Sequence, residues 1–241
     1  MTALTLTRRI FVAGVGMIAL SVATPSFSAE TGPVKIGMIG GGVVSTNLAK
    51  AWIKTGHQVM LSSRNPESLK DKVAALGPNA RAGTVAEAVA FGDVILLAVP
   101  YTAVPDIAKE YGKALATKIL VIDASNPIPD RDGEFAAMVR KIGVGEYTQG
   151  LMPGAKLVRT FNGFTAVRFA EGGKKDGVQM GMPISGGDPR ALGLTTQLVR
   201  ETGYEPVLVG NVAFGKHLMP REPLGPEMSP DEIRRIAATL K

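Results

Sequence analysis

Residues Val34 to Arg64 read VKIGMIGGGVVSTNLAKAWIKTGHQVMLSSR, and the order of residue types in this stretch decides the fold. Val34, Ile36 and Met38 recur at every second position, as a strand requires. Gly40-Gly41-Gly42-Val43-Val44-Ser45 is then a G-x-G-x-x-S turn that feeds a helical apolar pattern of Leu48, Ala49, Trp52 and Ile53. A second strand is predicted over Gln58 to Leu61, ending in Ser62-Ser63-Arg64. Strand, glycine turn, helix and strand within about 30 residues make up the dinucleotide-binding unit. The fold class implied is α/β: a doubly wound, mostly parallel sheet of the Rossmann type with a smaller C-terminal portion.

Each position in the turn has a physical task. Gly40 makes the bend, and Gly42 lets the backbone approach a pyrophosphate with no Cβ in the way. The helix starting near Val43 presents free N–H groups and a partial positive charge to that anion. Ser45 stands where a third glycine is usual, and is small enough for close helix–strand packing. The alternative is a glycine-rich turn with a purely structural role. An NAD site places Asp or Glu at the end of the second strand, roughly 20 residues after the glycines. Here Ser62, Ser63 and Arg64 occupy that place. A hydroxyl and a guanidinium bind a 2′-phosphate where a carboxylate would repel it, so NADP is predicted over NAD. Asn65-Pro66 also reads as a helix start, which is compatible with that role.

Upstream, Arg8-Arg9 precedes an uncharged, largely apolar run from Phe11 to Ala23, and Ser26-Phe27-Ser28 supplies small residues for cleavage. Residues 1–28 are therefore predicted to be a twin-arginine signal peptide, directing export of the folded protein to the periplasm; the alternatives are an ordinary Sec signal or an uncleaved anchor. The run is shorter than the ~20 residues of a membrane span, so no stable span is expected. Without Arg8 and Arg9, the 27 basic residues fall to 25 against 21 acidic ones, a net charge of +4 that suits an anionic ligand. No basic block with interleaved aromatics suggests nucleic acid. With no cysteine there is no disulfide, thiol nucleophile or cysteine-ligated cluster. The two histidines are too few for a histidine-rich metal site, and no metal is predicted. His57 is expected to be solvated in its turn.

Helix and strand then alternate. Pro66 to Leu76 is helical in pattern, and Thr84 to Glu87 is a capping box that opens a short helix ending at Gly92. Asp93 to Val99 and Lys118 to Ile122 are near-continuous apolar strands, suited to a sheet covered on both faces. Lys156 to Phe161 is a further strand, followed by Asn162-Gly163-Phe164. Ligands of open α/β sheets bind beyond the carboxyl ends of the strands. Val99-Pro100-Tyr101 and Ser125-Asn126-Pro127 should therefore meet near the nicotinamide half, with Asn126 either bonding ribose or carboxamide or only forming a turn. Asp123 reads as a structural hydrogen-bonding residue. Beyond Gly172 to Gly177, a solvated loop, strands are expected over Val178 to Ile184 and Pro206 to Val209, with a helix from Asp188-Pro189 to Thr202 between them. Pro220 to Pro230, with four prolines, reads as an extended arm before a capping box at Ser229 to Glu232. The domain boundaries predicted are 33–163 for the nucleotide-binding domain and 164–241 for a C-terminal region at the substrate cleft.

The segments IGMIGGGVVSTNLA, LSSRNPE, LLAVPY, VIDASNP, RTFN and SGGDP, in this order, resemble the NADPH-dependent deazaflavin-coenzyme (F-420) reductase family. The resemblance implies NADP contacts from Gly40, Gly41, Gly42, Val43, Val44, Ser63 and Arg64, and along the nicotinamide half from Ala98, Val99, Pro100 and Asn126. A basic residue that some members place soon after the Ser-Arg pair is absent here. The function implied is hydride transfer between NADPH and a flat conjugated acceptor, deazaflavin or flavin-like, with no catalytic side chain named. Two other readings stand beside it. One is a non-catalytic NADP-binding protein; the other is a dehydrogenase of a small carbonyl or imino substrate, with Tyr101, Lys216 or His217 as proton donor. The partners expected are a small-molecule acceptor and the twin-arginine export machinery, and homo-oligomers are compatible with the sequence.

Overall fold

The computed structural model describes residues 32–163 and 166–240. The signal predicted over residues 1–28 lies outside the described residues, as does Phe164. In chain order the elements run β1 (Lys35–Ile39), α1 (Val43–Lys54), β2 (Gln58–Ser62), α2 (Lys70–Leu76), β3 (Ala80–Gly83), α3 (Val85–Phe91), β4 (Val94–Leu97), α4 (Val104–Leu115) and β5 (Leu120–Asp123). They continue with α5 (Pro129–Ile142), α6 (Val144–Leu151), β6 (Leu157–Arg159), α7 (Arg168–Glu171), β7 (Lys174–Lys175), β8 (Val178–Gln179), β9 (Gly181–Gly186), α8 (Pro189–Glu201), β10 (Glu205–Gly210) and α9 (Pro230–Ala237).

Eight strands form one sheet in the order β10-β9-β6-β5-β4-β1-β2-β3. The stretch β3-β2-β1-β4-β5-β6 is parallel throughout and has the doubly wound Rossmann order. Strand β9 joins β6 antiparallel, and β10 pairs parallel with β9, so the C-terminal strands extend the same sheet. The order reverses between β1 and β4, which opens a crevice at their carboxyl ends. All four residues of β4 are buried, as a strand covered on both faces must be.

One face of the sheet packs on α1 and α8. Trp52 is fully buried there, donates from its indole nitrogen to the Leu198 carbonyl at 2.9 Å, and meets Phe161 edge-on. The other face packs on α3 to α6, around Val89, Ile107, Val139 and Val144. His57 is buried, contrary to the solvated position expected of it. Its Nδ1 accepts from the Val34 N–H at 2.9 Å and its Nε2 meets Glu201 at 2.8 Å, tying the start of the sheet to the end of α8. The Pro220 segment also differs from the extended arm expected, because it folds into successive turns closed by Glu222 N–H to Met219 O and Gly225 N–H to Glu222 O. The strand expected over 178–184 is split between β8, which pairs with β7 as a separate hairpin, and β9.

Candidate active site at the switch point

Strand β1 ends at Ile39, and Gly40 takes φ +112°, a conformation that side chains other than hydrogen rarely adopt. A Cβ there would also lie 2.3 Å from the Ala98 carbonyl oxygen, so the turn lies against the end of β4. Gly42 is the N-cap of α1, and a Cβ built on it would meet nothing within 4 Å. No side chain caps this helix end, and its first turn carries no acidic residue. The turn therefore offers uncapped N–H groups and the positive end of the helix dipole to an anion that can approach over Gly42. Ser45, in the third glycine position, is fully buried.

The rim is built by β2 and the chain after it. Ser62 is buried, and its Oγ accepts from the Gly40 N–H at 3.4 Å, joining the end of β2 to the glycine turn. The Ser63 Oγ accepts from the Asn65 N–H at 3.1 Å. Arg64 is exposed and makes no ion pair among the described residues. Lys72, on α2, donates to the Gly41 carbonyl at 2.7 Å and braces the turn from behind. No motif marks it, since it meets the turn only once α2 has packed.

Gly40, Gly41, Ser63, Arg64, Val99 and Pro100 line one cleft of about 650 Å³. Thr84, Val85 and the α4 residues Asp106, Ile107, Glu110 and Tyr111 complete it, none of them expected from the sequence. The other predicted residues stand around this cleft. Gly42, Val43 and Val44 form the helix start, with Val43 exposed. Ala98 lies behind Gly40 and donates its N–H to Ile39 O at 3.0 Å. Asn126 belongs to the loop after β5, whose Ser125 Oγ accepts from the Val99 N–H at 3.3 Å.

Under that loop is a buried polar network. Asp123 and Arg159 sit side by side on β5 and β6, both with fully buried side chains, and form an ion pair. Thr148 donates to Asp123 Oδ2 at 3.0 Å and is hydrogen-bonded to the Tyr101 hydroxyl at 2.7 Å. Burial, and then the negative charge of Asp123, push the Tyr101 phenol pKa well up. Tyr101 points into the core beneath α6 and does not serve as an exposed proton donor at the cleft. Asn126 Nδ2 donates to the Asn162 carbonyl at 2.8 Å, and Asn162 Nδ2 in turn reaches Asn126 Oδ1 at 3.3 Å. The remaining proton-donor candidates, Lys216 and His217, lie on a 3-10 segment, Val212–His217, with Lys216 exposed and His217 partly buried. Among the described residues no group of three or more His, Cys, Asp or Glu side chains could hold a metal ion, and no helix is long and apolar enough to cross a membrane.

The shape and donor set fit a nucleotide. A dinucleotide's pyrophosphate requires the open approach at Gly42, and a 2′-phosphate requires the free cation at Arg64. Comparison with known proteins agrees with this. Residues 35–127 match the family described as NADP oxidoreductase, coenzyme F420-dependent. The chain is similar to metalloreductase STEAP3 of Rattus norvegicus, 29% identical over 188 residues that make up 76% of this chain and 35% of that protein. It therefore spans about a third of the length of this relative. Among solved structures, a hypothetical protein of Sinorhizobium meliloti is 27% identical with a TM-score of 0.68, over 82% of this chain and 95% of that one. A protein assigned as an F420-dependent NADP-reductase, from Arthrobacter sp. FB24, shares the fold at 23% identity and a TM-score of 0.68, over 76% and 87%. Over residues 35–127 the chain is thus similar to the NADP oxidoreductases of the coenzyme F420-dependent family, on a Rossmann fold that it shares with these solved structures.

Proposed function

We propose that this protein binds NADP(H) in the cleft at the switch point and passes a hydride between NADPH and a flat conjugated acceptor, a deazaflavin or a flavin-like ring. The N–H groups at Gly42, Val43 and Val44 hold the pyrophosphate, Ser63 and Arg64 hold the 2′-phosphate, and Ala98, Val99, Pro100 and Asn126 border the nicotinamide half. When bound, the cofactor supplies the hydride. The protein's part is to hold two rings in near contact and to keep water from between them.

The observation that carries the choice of acceptor is the state of the polar groups at the carboxyl ends of β4, β5 and β6. Asp123 is buried against Arg159, Tyr101 is buried against Thr148, and Ser125 Oγ is engaged with Val99 N–H and Leu97 O. What these strand ends leave for a ligand is backbone, aliphatic carbon and, in the loop beside the cleft, the half-buried Asn126 amide. Such a surface suits stacking of rings, and the titratable side chains that line the cleft, Asp106, Glu110 and Tyr111, are carried by α4 and not by these strand ends. The test is turnover. Purified protein with NADPH should bleach a deazaflavin or flavin acceptor, while a panel of imines and ketones stays unreduced. Reduction confined to imines or ketones would transfer the site to the dehydrogenase reading. Binding of NADPH without turnover of any acceptor would mark a non-catalytic nucleotide-binding protein.

We also propose, from Arg8-Arg9 and the uncharged run behind them, that residues 1–28 direct twin-arginine export to the periplasm. Cell fractionation of the Arg8→Lys, Arg9→Lys double variant tests it: retention in the cytoplasm is expected, and unchanged periplasmic delivery would contradict it.

A further inference from the structure

We infer that Arg159, which reaches no surface itself, is a positioning residue that sets Asn126 as a one-way hydrogen-bond donor to the nicotinamide half of the nucleotide. The inference rests on the NADP reading above and adds a residue, a direction and a mechanism to it.

The Asn126 side chain is engaged at both ends of its amide. Its Oδ1 faces two donors, Asn162 Nδ2 at 3.3 Å and Arg159 Nη2 at 3.5 Å. Its Nδ2 gives one hydrogen to the Asn162 carbonyl at 2.8 Å. An amide carries two acceptor sites on oxygen and two hydrogens on nitrogen, so one N–H is left for a ligand. Turning the amide over would place its NH2 group against the guanidinium and the Asn162 NH2 group, donor against donor. The buried positive charge thus decides which end of Asn126 is oxygen, and the half-buried amide keeps one N–H to donate. A carboxamide oxygen or a ribose oxygen accepts such a bond. At 3.5 Å the direct contact is too long to be strong. Arg159 acts mainly through its field and through its 3.1 Å bond to the Ser125 carbonyl, which fixes the backbone beside Asn126.

Arg159 is itself held from three directions. Asp123 takes one edge of the guanidinium, and the Ser125 carbonyl takes Nη2. The third is Gly215, in the 3-10 segment Val212–His217, where a Cβ would lie 2.4 Å from Arg159 Cδ and 2.8 Å from Nε. Only hydrogen fits there, so a segment 56 positions along the chain presses the arginine into place. The Arg159 Nε and Asn162 Oδ1 atoms are buried with no partner in the structure, which leaves the network poised on few contacts.

The test measures affinities for NADPH and for 2′,5′-ADP, a probe of the adenosine end only, by titration calorimetry. The proteins are wild type, Arg159→Lys, Gly215→Ala, Asn126→Ala, and each of the first two variants combined with Asn126→Ala. Gly215→Ala is included because it keeps the buried charge pair, whereas Arg159→Lys can fail to fold; thermal melts report folding for both. Displacing the guanidinium should weaken NADPH about fivefold, the scale of one ordinary hydrogen bond, and leave 2′,5′-ADP unchanged. In the Asn126→Ala background the same substitutions should have no further effect. Equal losses for both ligands, or full additivity with Asn126→Ala, would overturn the inference and leave the NADP reading intact. Failure of the wild type to bind either ligand would sink both.

Discussion

The two ends of the cleft are made in different ways. The glycine-turn end comes from one contiguous stretch, Gly40 to Arg64, and its working groups are mostly backbone N–H groups and the absence of side chains. The other end joins Val99, Asn126 and Asn162 with Asp123, Arg159 and Gly215, residues drawn from strand ends and a C-terminal turn far apart in sequence. A backbone site tolerates change in everything but its glycines and its charge. A side-chain site depends on every partner in a buried network, so its failures should appear in folding as well as in binding.

Three substitutions set the two ends against each other. Asp123→Ala leaves Arg159 as an unpaired buried charge, and should cost about 3–5 kcal/mol of stability in denaturant unfolding, the largest effect expected. A loss below 1 kcal/mol would show that the network is not a unit. Arg64→Ala should weaken NADP by roughly 10- to 150-fold, the worth of a charge-assisted bond, with NAD affinity and melting temperature nearly unmoved. Equal loss for both nucleotides would remove Arg64 from the 2′-phosphate. Gly42→Ala places a methyl in open space, so the fold should keep its stability while NADPH affinity falls roughly tenfold. Unchanged affinity would mean that no phosphate passes over Gly42.

The smallest effect belongs to a pair remote from both ends. Burial raises the Glu201 pKa, but its bonds to His57 and Gln197 outweigh this and leave it lowered. A carboxylate with a lowered folded pKa adds stability above its unfolded pKa of about 4.3, and loses it as pH falls through the folded value. Glu201→Gln should therefore flatten the acid limb of a plot of unfolding free energy against pH, by about 1 kcal/mol, and leave NADPH binding untouched. A shifted nucleotide affinity would show that the two faces of the sheet are coupled.

What was legible in the sequence follows the same division. The glycine turn, β2, β4, β5 and the two capping boxes at Thr84 and Ser229 are local patterns, and all of them form. Strand β3, with the sequence Ala80-Arg81-Ala82-Gly83, carries almost no strand propensity and exists because β2 offers it an edge to pair with. Helix α5 escapes a periodicity reading because Gly133, at φ +54°, breaks it. His57 reads as a polar turn residue, and its burial depends on Glu201, 144 positions away. Tyr101 follows a strand end, where a cleft residue is expected, yet its ring is drawn under α6 by Thr148 and a cluster with Phe135 and Tyr147. Lys72 and Gly215 have no sequence signature, and Arg159 is marked only as part of the RTFN segment, since each matters through what it touches.

The most direct test of direct hydride transfer without a protein acid uses NADPH carrying deuterium stereospecifically at the transferred position, with a deazaflavin acceptor that does not exchange that hydrogen with solvent. Mass spectrometry of the reduced acceptor should find one deuterium delivered from one face of the nicotinamide, at a rate that is insensitive to Lys216→Ala and His217→Ala. Label lost to solvent, or turnover abolished in either variant while NADPH still binds, would contradict the account.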